Sequence, residues 1–235
     1  MKVGIVCAGD REVAPFIPLI RETQTSRKAM LTFYEGTIEG VSVVALYSGV
    51  CKVNAAIATQ ILIDTYECDL ILNAGTAGGM EADVGVLDTI VSTEAAYHDV
   101  DQGILTEFHP WMQSVYFQAN PQLLSVAQKA VKHVRTERRI WFGRMVTGEK
   151  FIEDDQRCEI NKSFTPLSVD METAAIAHVC YVNQKPFLAV RTITDTADHQ
   201  AAASFEENCK KAAEISAEFV KGMLHVSGWG EKDEV

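Results

Sequence analysis

VSVVALYSGVCKVNAAIATQILIDTYECDLILNAG, residues 41–75, holds the pattern from which the fold follows. Its opening, VSVVALY (41–47), is a β-branched apolar run with no polar alternation. VNAAIATQILIDTY (53–66) reads as a helix, and CDLILNAG (68–75) returns to a continuous apolar run. Strands that are apolar on both sides of the pleat are covered on both faces. A helix between two such strands predicts an α/β architecture rather than an all-β one.

The same alternation extends outward. KVGIVC (2–7), LDTIVS (87–92), IWFGRMV (140–146), PLSVD (166–170) and PFLAVR (186–191) read as further buried strands. PQLLSVAQKAVKHV (121–134), METAAIAHVCYV (171–182) and SFEENCKKAAEISAEFVKGML (204–224) read as helices, the last with Ser204 as N-cap and acids in its first turn. The expected fold is an α/β sandwich around a mostly parallel or mixed sheet, in one domain spanning 1–235. LTFYEGTIEGVSVVALYSG (31–49) departs from the alternation and predicts an antiparallel pair turning at Glu39-Gly40. Residues 101–120 show no clear periodicity, which marks a functional or oligomeric loop or a disordered one. The tail GWGEKDEV (228–235) is expected to be mobile.

The chain has 235 residues, 47% of them hydrophobic, and a formal charge of −11. Such a surface repels phosphate backbones and anionic membranes, so nucleic acid and membrane are not expected partners. No apolar run approaches the ~20 residues of a membrane span. MKVGIV is too short for the core of a signal peptide before AGDRE interrupts it. The six cysteines form no CxxC pair and read as reduced thiols, which points to the cytoplasm. The six histidines show no ligand spacing, so no metal site is expected, and His178 reads as a hydrogen-bonded residue near the core. No GxSxG elbow is present.

Ligands of α/β sheets gather at the carboxyl ends of strands. Those ends carry AGDREV with Glu12, SGVCKVNAA, the glycine-rich AGTAGG (74–79), TGEKFI, Asp170-Met171-Glu172, and Arg191 followed by TITDTADH (192–199) with Asp195 and Asp198. AGTAGG reads as a tight turn or as a place where backbone amides approach a ligand. It lacks the lysine of a P-loop and is not GxGxxG, so it lends little support to nucleotide phosphate binding. Glu172 opens a helix directly behind a buried strand, which places it at the rim of the core. Pro15 and Pro18 disfavour a regular helix after Glu12.

AGDREV, SGVCKVNAA, NAGTAGG, AAYHDVD, TGEKFI, VDMETAAIAHVC and RTITDTAD occur in one order over roughly residues 1–224. Together they resemble the purine nucleoside phosphorylase/uridine phosphorylase superfamily, and most closely its 5′-methylthioadenosine/S-adenosylhomocysteine nucleosidases. The resemblance implies a three-layer α/β/α sandwich with a mixed, twisted, barrel-like sheet, a homodimer, no metal or organic cofactor, and hydrolysis of the bond joining adenine to a 5′-thioribose. It implies Asp195 as the acid that protonates N7 and Glu12 as the base that activates water. Glu172 would hold the ribose hydroxyls and Met171 would pack on the sugar. Phe151 would stack on adenine while Ile152 binds its edge. Arg191 and Thr76 would flank the water, Arg191 also orienting carboxylates. Phe205 would sit by the ribose and 5′ group, and Val50, Ala77 and Gly78 are further substrate-binding positions. Asp198 is expected to brace the turn. Phe108, Pro110 and Trp111 are expected to supply an apolar wall or an interface.

Protonation of the leaving group beside an oxocarbenium-like sugar is the logic of glycoside cleavage. A free aspartate titrates near ~3.9, so a protonated Asp195 near neutrality needs about three units of upward shift, or ~4 kcal/mol of environment. Arg191 would oppose that shift and is therefore expected to point elsewhere. Within the superfamily the phosphorylases hold phosphate with arginines in the first loop and just before the glycine run. Here Glu12 and LILNAG stand in those places, which favours water over phosphate. Gly9, Cys51 and Thr76 depart from the nucleosidase pattern, which carries a larger residue, a glycine and a serine there. The remaining alternatives are cleavage of another adenine nucleoside, such as 5′-deoxyadenosine or aminodeoxyfutalosine, and a catalytically inactive nucleoside-binding protein.

Overall fold

The computed structural model describes residues 1–109, 111–134, 138–152, 154–196 and 201–230. From the N-terminus run β1 (Lys2–Cys7), α1 (Asp10–Val13), β2 (Arg21–Lys28), β3 (Leu31–Ile38), β4 (Val41–Tyr47), α2 (Lys52–Asp64), β5 (Leu70–Gly79) and β6 (Thr89–Tyr97). There follow α3 (Gln102–Glu107), β7 (Phe117–Gln118), α4 (Pro121–Ala130), β8 (Ile140–Thr147) and α5 (Asp154–Phe164). β9 (Ser168–Asp170), α6 (Thr173–Val182), β10 (Phe187–Asp195) and α7 (Ala201–Ser227) complete the order. A 3-10 turn at Ile17–Leu19 accommodates Pro18, and α1 stops before Pro15, as proline's missing donor requires.

The apolar runs form one mixed sheet. β5 is parallel to both β1 and β10, and β1 is parallel to β4. β10 also pairs antiparallel with β6, β6 parallel with β8, β8 parallel with β9, and β9 antiparallel with β5. These pairings close a five-strand ring, β10-β6-β8-β9-β5, from which β1, β4, β3 and β2 extend as an open sheet. The predicted antiparallel pair is β3–β4, turning at Glu39 (φ 52°) and Gly40 (φ 75°), both left-handed as a two-residue hairpin turn needs.

Helices cover both faces. On one side Ala55, Ala58 and Leu62 of α2 and Ala174–Ala177 of α6 pack with Val6, Ile71 and Ile90 of the strands. On the other, Val13, Leu123, Ala127, Phe219, Val220 and Met223 from α1, α4 and α7 pack against Val3, Ile5, Leu72 and Val190. The result is three layers, with the closed ring in the middle one. A smaller cluster, Ile152, Ile160, Phe164, Val146 and Met80, seats α5 on one end of the ring.

Several expectations change. AGTAGG is no turn: it continues β5 to Gly79. Ser204 is not an N-cap, because α7 begins at Ala201, one turn earlier. The helix expected to reach 134 ends at Ala130. Within 101–120 lie α3, capped by the Asp101 carboxylate on the Gly103 amide, and the short β7. Trp229 packs against the core beside α7, so the tail is anchored at least that far. Residues 231–235, Pro110 and Asp198 lie outside the described residues. No helix among the described residues is long and apolar enough to cross a membrane.

Candidate active site

The carboxyl ends of β1, β5, β9 and β10 open into one cavity of about 450 Å³, lined by Glu12, Thr76, Gly78, Glu172 and Asp195 among others. Glu12 is placed by α1, the single helical turn after β1. Its Oε2 accepts from the amides of Ala8 (2.6 Å) and Gly9 (3.3 Å). Its Oε1 accepts from the amide and the hydroxyl of Thr76, each at 2.7 Å. Four donors therefore hold a carboxylate that is only 5% exposed. Gly75 makes room for it, since a Cβ there would lie 2.5 Å from the Glu12 carboxylate.

Behind this wall lies Arg191, with no exposed surface. Its Nη2 donates to Glu172 Oε2 (2.9 Å), its Nη1 donates to the Thr76 carbonyl (3.2 Å), its Nε lies 3.1 Å from Asp170 Oδ2, and Nη1 lies 3.6 Å from Glu12 Oε1. Burial alone would lower the guanidinium pKa, but the three carboxylates outweigh it and raise the value. Glu172, at the N-terminus of α6, also accepts from the Cys51 amide (3.0 Å). Burial pushes its carboxyl up to about 7; Arg191 and that amide oppose the rise, and Asp170 and Glu12 add to it. Cys51 makes its contact from φ 83°, ψ 162°, a conformation that glycine adopts without penalty and other residues do not. Glycine is the residue that the resemblance implies at this position.

Asp195 forms the opposite wall. β10 pairs Ile193 with Ala77 and Asp195 with Gly78, so Thr194 is taken up in a bulge. A bulge re-aims side chains, and both Thr194 and Asp195 face the cavity. Asp195 Oδ1 accepts from the Thr194 hydroxyl (2.8 Å), and Oδ2 lies 3.1 Å from where a Cβ on Gly78 would stand. Burial raises the Asp195 pKa, while the Thr194 hydroxyl and the Arg157 guanidinium pull it down. Arg191 points away from Asp195 and into the three carboxylates, as that raised value requires.

Phe151 and Ile152 follow β8 and line the cavity, with Phe151 edge-on to Phe205 of α7 at 5.8 Å between ring centres. Met171, Val50 and Ala77 also line it. Of the predicted site residues, Arg191 alone does not reach the wall; it lies beneath, because three buried acids need a buried cation.

The sequence places Asp170 at a strand end but gives it no role. It accepts from Thr147 Oγ1 (2.6 Å) and from the Glu172 and Thr173 amides, so it caps α6 while pairing with Arg191. An aspartate between a buried strand and a helix start was the available signal. Asp10, Arg11, Lys150, Glu206 and Cys209 also line the cavity; the first two lie in AGDREV, Lys150 in TGEKFI and the last two in the closing helix, but the sequence assigned none of them a role. His178 is half-buried, its Nδ1 3.2 Å from the Tyr97 hydroxyl, and burial lowers its pKa. No cluster of potential metal ligands occurs among the described residues.

A sequence profile of the phosphorylase superfamily matches residues 2–225. The 5′-methylthioadenosine/S-adenosylhomocysteine nucleosidase of Actinobacillus succinogenes is 37% identical over 228 residues, covering 95% of this chain and 98% of its own. The crystal structure of such a nucleosidase from Colwellia psychrerythraea, in complex with adenine, superposes with a TM-score of 0.91 at 33% identity, over 98% of this chain and 97% of that one. The Neisseria meningitidis enzyme, in complex with methylthio-immucillin-A, superposes with a TM-score of 0.88 at 31% identity, over 95% and 98% of the two chains. On sequence and on structure, the chain belongs to the phosphorylase superfamily, among its 5′-methylthioadenosine/S-adenosylhomocysteine nucleosidases.

Proposed function

We propose that the chain hydrolyses the N-glycosidic bond of 5′-methylthioadenosine and S-adenosylhomocysteine, releasing adenine and the 5′-thioribose. The observation that carries the choice of water over phosphate is the seat of Glu12. A phosphate dianion there would meet three carboxylates, Glu12, Asp170 and Glu172, whose shared cation Arg191 is already surrounded by them. Asn73, at the place where phosphorylases carry an arginine, is buried and spent on the Val6 carbonyl and the Thr173 hydroxyl.

In this reading Asp195 donates its proton to N7 as the glycosidic bond breaks. Phe151 stacks on the adenine, the backbone of Ile152 reads its edge, and Ala77 and Gly78 lie close to the base. Glu172 accepts from the ribose hydroxyls, Met171 and Phe205 pack on the sugar and 5′ group, and Val50 closes that side. Glu12 takes the proton of the attacking water. Its four acceptor positions are filled, so one donor must yield, and the rotatable Thr76 hydroxyl can do so. Arg191 acts through the carboxylates it orients. Acid and base together are expected to supply much of the rate, at about 10²–10⁴-fold each.

A homodimer belongs to the same proposal. Gln60 of α2 and Asn183, just after α6, exchange side-chain hydrogen bonds. Near them Val53 (69% exposed) and Ile57 share one face of α2, and Tyr181, Val182, Phe108 and Trp111 are also exposed. Tyr181 Oη donates to the Trp111 carbonyl (2.6 Å), which joins the loop to this surface. An apolar set of this kind is what an interface buries. Six free cysteines support a reducing cytoplasm as the setting.

The test is product analysis with methylthioadenosine, with and without phosphate. Adenine and free methylthioribose are expected in both. A sugar 1-phosphate formed only with phosphate would overturn the assignment to Glu12, and adenine released only from another nucleoside would move the substrate.

A further inference from the structure

The cavity carries an ion pair that the reaction leaves without a task. Arg11 Nη1 lies 2.6 Å from Glu206 Oε2, and both residues line the cavity. The side chains are 53% and 64% exposed, so the pair sits at the mouth. Each is adjacent in sequence to a residue of the proposed machinery, Arg11 to Glu12 and Glu206 to Phe205. Gly9 lines the cavity beside them, and a Cβ there would meet nothing within 4 Å, so the wall is open at that position.

We propose that Arg11 and Glu206 form a subsite for the zwitterionic α-amino-acid end of a 5′-thio substituent, Arg11 taking the carboxylate and Glu206 the ammonium. This rests on the nucleosidase reading of the cavity. An exposed ion pair contributes little in water, about 0–1 kcal/mol, so opening it is easy. A zwitterion entering between the two side chains replaces one exposed pair by two. The need for a cation is specific to this cavity. Asp10, Glu12, Asp170, Glu172 and Glu206 line it, and a tail carboxylate would be repelled unless a guanidinium met it at the entrance. Among the described residues the other lining cation, Lys150, makes no ion pair with a carboxylate. A methyl tail gains nothing from the subsite.

The experiment compares S-adenosylhomocysteine with 5′-butylthio-5′-deoxyadenosine, a neutral tail of similar length, in wild type, Arg11→Met and Glu206→Gln. In Arg11→Met the ratio of kcat/KM for the charged over the neutral substrate is expected to fall about tenfold, through KM rather than kcat. In Glu206→Gln it falls several-fold, and the double variant is no worse than Arg11→Met, because the two act as one unit. The preference for the charged tail should also shrink with added salt in wild type alone. A ratio that stays within twofold of wild type in both single variants overturns the subsite. If wild type frees adenine from neither substrate, nor from methylthioadenosine, the nucleosidase reading falls, and the subsite with it.

Discussion

At the scale of single residues, the site is a problem of where protons rest. Three acids converge on Arg191, while Asp195 stands apart from it with its pKa raised by burial. The separation has a consequence for stability as well as rate. A carboxyl whose folded-state pKa exceeds the unfolded ~3.9 binds its proton more tightly when folded. It favours folding below the unfolded value, and that contribution is lost as pH rises through the folded value. Asparagine has no charge to bury. Asp195→Asn should therefore melt no lower than wild type at pH 8, while kcat falls by about 10²–10⁴-fold, the worth of a general acid. In wild type, kcat should decline as pH rises above the folded value of Asp195, and in the variant that limb should disappear. Thermal melts and pH–rate profiles on the same preparations check this; a large loss of melting temperature would make Asp195 a structural acid instead. The sequence exposed Asp195 and Glu172 because both follow apolar runs directly. It showed Asp170 at a strand end but not its role, which lies in a partner 21 residues along the chain, Arg191, and in an amide cap that only the folded α6 supplies.

At the scale of elements, the strand β5 organises the cavity, and it is the element whose end the sequence most misled about. Six residues rich in glycine, AGTAGG, suggest a turn, yet the glycines sit in a strand because carboxylates lean on its backbone: Glu12 on Gly75 and Asp195 on Gly78. Gly75→Ala places a methyl 2.5 Å from the Glu12 carboxylate, well inside van der Waals contact. Glu12 must leave the Thr76 and Ala8 amides, at a cost of about 2–4 kcal/mol, and turnover should fall at least about 100-fold with it. Gly9→Ala, with nothing within 4 Å, should melt within experimental error of wild type, so the pair separates crowding from loss of glycine as such. Urea unfolding and initial rates report both. The apolar strands β1, β4 and β10 were legible because burial on both faces leaves a nearly unbroken apolar run, and the helices α2 and α6 because each keeps a buried apolar side at helical spacing. β2, RETQTSRK, was not, since an edge strand with one neighbour and exposed side chains has no apolar face to show. α5 escaped for a related reason: DDQRCEINKSF commits only Ile160 and Phe164 to the core, too few to set a helical period.

At the scale of the whole molecule, the closed ring and the open sheet divide the labour. The ring, five strands without a free edge, fixes β5, β9 and β10 against one another and so fixes Gly78, Asp170 and Asp195. The open sheet carries β1 and β4, whose ends bring Glu12 and the Val50–Cys51 turn across the same cavity. Neither part alone holds both Asp195 and Glu12, the proposed acid and base. The helix layer over one face leaves apolar side chains uncovered: α2 presents Val53 and Ile57 to solvent, and the loop after α3 presents Phe108 (72% exposed) and Trp111. If two copies cover that layer, charges placed within it must be desolvated or keep the copies apart. Val53→Glu combined with Ile57→Glu should leave the circular dichroism spectrum unchanged, since both side chains point away from the core. It should shift sedimentation at micromolar concentration from the mass of two chains to that of one, 25.9 kDa. Because Val50 and the Cys51 amide begin the same helix, kcat/KM should fall with the dimer, whereas a buried-core defect would lower the melting temperature first. Wild type sedimenting as one chain at that concentration would mean that the exposed face has another occupant.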